Sequence, residues 1–161
     1  MVAAAKRLAT LGWTVRSGAA DGADTAFERG ALAGGGKTEI WLPWPGFNGH
    51  ADTGLYPLPV HYAHAQQHHP AWEHLGRGPR ALHARNVGQV LGADLASPVR
   101  FVLCYTPDGC ESLEGRSRTT GGTGMAIAIA VGAGVPVYNL ANSDALPRVA
   151  KFLTSLQGTR P

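Results

Sequence analysis

Apolar residues recur at helical spacing in the first eleven positions, where Val2, Ala5, Leu8 and Leu11 share one side. Gly12 stands where a helix end favours glycine, and 13–17 reads as a short strand. Asp21 or Asp24 then caps a second helix whose inner face is Ala23, Ala26, Phe27 and Ala31, stopped by Gly34, Gly35 and Gly36. Residues 39–43 predict a second strand, closed by Pro43 and Pro45. A Pro-, Gly-, Asn- and Asp-rich loop follows over 43–60, and loops of that length are often functional. Residues 60–75 predict a helix. Another is expected over 79–92, with Pro79 near its first position and Leu82, Val87, Val90 and Leu91 on its apolar side.

The most apolar stretch, 99–105, predicts a central strand covered on both faces. A polar loop spans 106–120, and Gly121 to Gly124 open an Ala/Ile helix ending at Gly132 or Gly134. Residues 135–140 predict a last strand, 146–156 a closing helix and 157–161 a frayed tail. The alternation of helix and strand predicts an α/β fold: one domain over 1–156 with a parallel sheet and helices on both faces.

Bulk properties change this picture little. The chain has 161 residues, enough for one domain with its own core. Glycine and proline make up about a fifth of it, below the level of low complexity. A net charge of +3 without any Lys/Arg run mildly favours an anionic partner such as nucleotide or nucleic acid. Two cysteines, Cys104 and Cys110, are too few for a disulfide framework, and Cys104 reads as a small buried apolar residue. No segment has the ~18 consecutive apolar residues of a membrane span, and the N-terminus lacks the apolar core of a signal peptide. A reduced, cytoplasmic protein is expected, with no membrane partner.

Two glycine-rich strand-to-helix junctions carry the candidate chemistry. One comprises Ser17, Gly18, Ala19, Gly22 and Asp24; the other Thr120, Gly121, Gly122, Thr123 and Gly124. In a parallel sheet both open at the carboxyl ends of strands, where ligands bind. Helix N-terminal amides and the helix dipole favour an anion there. Ser17, Thr120 and Thr123 add hydroxyls, and Asp21 or Asp24 can accept from a ribose hydroxyl. A short turn with ordinary capping chemistry accounts for either junction taken alone. Neither is a Walker A or GxGxxG loop.

The stretch SGAADGADTAFERGAL resembles the S-G-x-A-x-G-x-D-x-x-A motif of the SMF/DprA–LOG (SLOG) superfamily. RTTGGTGMAIAIAVGAGVPVYNL resembles its second, Gly/Thr-rich motif, and ALHARNVGQVLG is similar to the Arg-Asn helix of DprA-like proteins. The resemblance covers about residues 1–142. It implies a Rossmann-like fold binding a nucleotide, a nucleotide-derived ligand or single-stranded DNA, without a resident cofactor. It places Ser17, Gly18, Gly22 and Asp24 at the ligand, Gly121, Gly122, Thr123 and Gly124 opposite, and Arg85 and Asn86 on a flanking helix. Members open with a strand before the first helix; this chain starts inside that helix, so either the first strand is lost or the true start lies upstream. An exposed sheet edge left by that strand would favour self-association. The LOG phosphoribohydrolases carry a glutamate after their glycine turn, and the equivalent Met125-Ala126-Ile127 has no acid. Binding is therefore expected rather than catalysis. The alternative is a phosphoribohydrolase acting on nucleoside monophosphates, with Asp24, Glu111 or Glu114 as its acid.

Other residues stay open between roles. His61, His64 and His68 could share a helix face, with His69, His74 and His83 following, but a zinc site wants three or four tetrahedral ligands and no HExxH is present. No metal is expected. Trp41, Trp44 and Trp72 could stack on a base or pack internally. Arg116 and Arg118 could clamp a phosphate ahead of the second turn or form a mobile basic loop.

Overall fold

The computed structural model describes residues 1–157, and the structure is α/β, with six α-helices and two short parallel two-stranded sheets. The tail expected at 157–161 lies, from residue 158 onward, outside the described residues. The chain separates into two compact units that meet in sequence between Val99 and Arg100.

The first unit runs α1 (Val2–Thr10), β1 (Val15–Ser17), α2 (Ala23–Ala33), β2 (Thr38–Ile40), α3 (Pro59–His68) and α4 (Arg77–Leu91). β1 and β2 pair in parallel, with Val15 opposite Thr38 and Ser17 opposite Ile40. Small residues govern the packing of α1 on α2. Ala5, Ala9, Gly30 and Ala31 are buried. A Cβ on Gly30 would come within 2.7 Å of the Ala5 Cβ and closer still to the Val2 carbonyl oxygen. Helix backbones approach this closely only where one side offers hydrogen in place of a side chain.

α3 ends at His68, short of the expected 75, because His69 precedes Pro70. A residue before proline is pushed out of the helical region, and His69 is extended at φ −113°, ψ 110°. One 3-10 turn, Trp72–His74, follows. α4 starts two residues earlier than expected, which leaves Pro79 within the first turn, where no intrahelical donor is lost. The Trp41 ring lies flat enough on α4 that a Cβ on Gly88 would overlap it.

The second unit runs β3 (Val102–Cys104), α5 (Thr123–Gly132), β4 (Val137–Asn139) and α6 (Ala145–Gln157). β3 and β4 pair in parallel over three residues each. The expected central strand over 99–105 is thus a three-residue strand with one partner. Val99 instead donates to the Val90 carbonyl. Phe101 packs against Tyr138 and Phe152, with ring centroids about 6 Å apart in each pair. α5 buries Met125, Ile127, Ala128, Ile129 and Ala130, an apolar set broad enough to be covered on more than one side.

The α1–α2 contact predicts that Gly30→Ala lowers stability by about 1–3 kcal/mol, the usual cost of overpacking. Gly76→Ser, at the extended and open N-cap of α4, should be neutral or stabilise by a few tenths of a kcal/mol. Urea midpoints of the two variants check both.

Candidate functional site

The first junction is a turn with buried walls. Ser17 ends β1, and Ser17, Gly18 and Ala19 are buried. Ala19 holds φ 55° and Gly22 φ 93°, both in the left-handed region that bends the chain back into α2. Asp24 in the first turn of α2 accepts a bond from the Ala20 amide at 3.2 Å. The turn's carbonyls are taken: that of Gly18 by Arg85 Nη1, that of Ala19 by Asn48 Nδ2 at 3.0 Å, and that of Ala20 by the Thr25 amide. Its amides are not. Among the described residues, those of Gly18, Ala19, Asp21 and Gly22 donate no bond.

Arg85 comes to this turn from α4 and is only 6% exposed. Its Nη2 donates to Asn86 Oδ1 at 3.0 Å, and its guanidinium lies over the Phe47 ring, 5.7 Å from the centroid. Burial lowers its pKa, and the Asp24 carboxylate works in the opposite direction; arginine stays charged regardless. The guanidinium fits because residue 18 has no side chain: a Cβ there would sit 2.6 Å from Arg85 Cζ. Two buried polar atoms at this place, Ser17 Oγ and Arg85 Nε, have no hydrogen-bond partner. Leaving such a group unmade costs about 1–3 kcal/mol.

The loop after β2 closes over the turn. Phe47 packs against Ala19, Ile40 and Leu42, and Gly46, Asn48 and Gly49 all have φ between 51° and 74°. Asn48 ties the loop to the turn, and His50 Nε2 ties it to Glu28 of α2 at 2.8 Å.

In the second unit the candidate residues serve a different network. Asp108, exposed in the Thr106–Gly109 turn, accepts bonds from the hydroxyls of Thr106, Ser117 and Thr120. Those bonds, Thr120's foremost, hold its carboxyl far below the usual carboxylate range. The Thr120 hydroxyl also accepts from the Ser117 amide, so it serves the loop and is not spare. Asn139, fully buried at the end of β4, binds Thr106 through both its amide groups and donates to the Cys110 carbonyl. Gly121 and Gly122 are exposed, Thr123 is half-buried and Gly124 is buried. The Gly124 amide donates to the Gly121 carbonyl and that of Met125 to the Gly122 carbonyl. Arg116 and Arg118 are both exposed.

The acids put forward for catalysis have structural tasks or none. Asp24 accepts the Ala20 amide of the turn that precedes α2. Glu111 holds Arg148 through two bonds, 2.7 and 2.8 Å, and accepts from the Asn139 amide and Asn142. Burial works to raise its pKa, but Arg148 and the amide donors keep it below its ordinary value of 4.5. Glu114 is exposed.

His61, fully buried, is a core residue. Its Nδ1 accepts from the Leu58 amide at the start of α3, Nε2 bonds the Gly92 carbonyl, and its ring meets Trp41 edge-on. His64 pairs with His68, and His69 with His83. Burial, with His69 and Arg85 adding, pushes the His83 pKa down to about 4. Among the described residues, no three His, Cys, Asp or Glu side chains form a group that could hold a metal ion. Trp41 and Trp72 are 3% and 7% exposed and pack internally, whereas Trp44 is 41% exposed. No helix of the described residues is long and apolar enough to cross a membrane.

Compared with family models, curated proteins and solved structures, the chain matches none.

Phe47, Asn48, Asp108 and Asn139 were not among the sequence candidates. Only the Thr-Pro-Asp-Gly turn around Asp108 has a local signal; the others act through partners distant in sequence.

Two outcomes follow. The Glu28 bond raises the His50 pKa above 6.5. This tether's contribution is therefore full below about pH 6.5 and is lost as pH rises through the raised folded value. His50→Gln should flatten that part of the stability–pH curve, read from melting temperature between pH 5.5 and 8.5. Glu111→Gln should cost about 2 kcal/mol, between exposed and buried ion pairs. Its depressed pKa means that this stability is present above about pH 4.5 and lost as pH falls; denaturant unfolding at pH 7 and pH 3.5 separates the two.

Proposed function

We propose that this chain is a DprA-like, Rossmann-like protein that binds a nucleotide phosphate, free or within a single strand, at the turn between β1 and α2. The observation that carries this reading is the coincidence of two unpartnered buried polar atoms, Ser17 Oγ and Arg85 Nε, beside a turn with undonated amides. Every one of these groups except the amphoteric hydroxyl can only donate, and a phosphate oxygen only accepts. The turn opens the eleven-residue helix α2, whose dipole favours negative charge at this end. Arg85 adds a fixed positive charge that is already desolvated, so little is lost in ordering it on binding. The resemblance of residues 17–32 and 81–92 to the SLOG motifs points to the same ligand class.

Binding is favoured over phosphoribohydrolase chemistry by what the acids do. A general acid needs a pKa near the working pH. Glu111 is held in the opposite direction by Arg148, and Asp24 is engaged with the Ala20 amide.

Ser17→Ala separates a ligand role from a structural one. Removing an unpartnered buried hydroxyl should leave the melting temperature unchanged or raised. Affinity for adenosine 5′-monophosphate, by calorimetry, should fall about tenfold, the worth of a hydrogen bond to a charged group. Unchanged affinity would remove the turn from the site. Comparing the monophosphate with a short oligothymidylate across 50–200 mM salt distinguishes the two ligand forms, because a strand releases more counterions and weakens more steeply.

A further inference from the structure

Trp44 is a large apolar side chain held at the surface beside the candidate phosphate turn. Its indole meets the Phe47 ring edge-on, with centroids 5.2 Å apart and planes at 90°. Phe47 in turn carries the Arg85 guanidinium on its face, 5.7 Å away. These two steps put the indole within about 11 Å of the cation. That is the reach of a nucleotide, whose base lies one sugar away from its phosphate.

The placement is held from several sides. Phe47 is packed on Ala19 of the turn itself, Asn48 bonds the Ala19 carbonyl, and His50 is fastened to Glu28. The left-handed conformations of Gly46, Asn48 and Gly49 shape the loop around Phe47. A loop fixed this firmly had the means to bury Trp44, as Trp41 and Trp72 are buried, yet 41% of it stays exposed. A partly exposed indole within about 11 Å of a cation suits a ligand that is flat at one end and anionic at the other.

We infer that Trp44, set by Phe47, is the stacking platform for the nucleobase of the ligand whose phosphate sits at the β1–α2 turn. This rests on the phosphate site proposed above. It adds that the protein recognises a base-bearing ligand rather than a bare sugar phosphate, and that it tolerates different bases, since every base offers a π-face. Arg85 serves both ends: one edge of the guanidinium holds the turn and its face anchors the ring that positions the indole.

The test compares adenosine 5′-monophosphate with ribose 5-phosphate, by calorimetry, on the wild type and on Trp44→Ala and Trp44→Phe. The wild type should bind the monophosphate at least tenfold more tightly than the sugar phosphate. Trp44→Ala should erase that difference by weakening the monophosphate alone, and Trp44→Phe should restore most of it. Ring loss at an exposed site should leave the melting temperature within a few degrees, which excludes unfolding as the cause. Equal affinity of the two ligands for the wild type, or a monophosphate affinity untouched by Trp44→Ala, overturns the platform while leaving the phosphate site standing. Binding of neither ligand overturns both. A loss for both ligands in Trp44→Ala, not rescued by phenylalanine, assigns Trp44 to loop packing and also overturns the platform.

Discussion

A buried arginine holds the first unit together at its most irregular point. The guanidinium of Arg85 crosses from α4 to the carbonyl of Gly18, and it can do so only because residue 18 lacks a side chain. A charge 6% exposed is costly to bury. Here the cost is offset by a backbone carbonyl, the Asn86 side chain, the Phe47 ring and the nearby Asp24 carboxylate. One donor, Nε, remains unmatched. A buried charge left one bond short is a poor choice for stability alone. It makes physical sense where a ligand supplies the last acceptor.

The same interaction organises what surrounds it. Gly18 and Ala19 give up their carbonyls to Arg85 and Asn48, so the turn presents its amides. Phe47 packs on the cluster that contains Ala19, lies under the guanidinium and meets the Trp44 indole edge-on. The turn, the cation and the exposed indole thus form one connected structure built from β1, α4 and the loop after β2. The second unit solves a comparable problem with neutral groups and a carboxylate. Asn139 and Asp108 gather the donors of the loop after β3, and Glu111 pins that loop to α6 through Arg148. Thr120 is spent in that network, and the amides of Gly121 and Gly124 already donate to the Arg118 and Gly121 carbonyls.

Much of the element order was legible because it rests on local chemistry. Helical spacing at Val2, Ala5 and Leu8, glycines after α2, and the Gly-rich entry to α5 located those helices to within a few residues. The His69–Pro70 step that ends α3 is equally local but sits within a run of histidines that reads as helical. The strands were shorter than their apolar runs suggest, since pairing decides a strand's length and a run such as 99–105 records only burial. Site residues on the motifs were identifiable as candidates, but their tasks were not. Nothing local says that Thr120 serves Asp108, that His61 is a core residue, or that of the three tryptophans that could stack on a base Trp44 alone stays exposed. Phe47 and Asn48 reach the turn across 28 or more residues, a separation that no spacing rule covers.

A phosphate received by the amides and Arg85 at the β1–α2 turn is read residue by residue in proton–nitrogen correlation spectra during titration with adenosine 5′-monophosphate. The largest shifts are expected at the amides of Gly18, Ala19, Asp21 and Gly22, together with a downfield move of the Arg85 Nε–H resonance as it gains its acceptor. Shifts centred elsewhere, or an unmoved Arg85 Nε–H at a saturating concentration of the nucleotide, would contradict it.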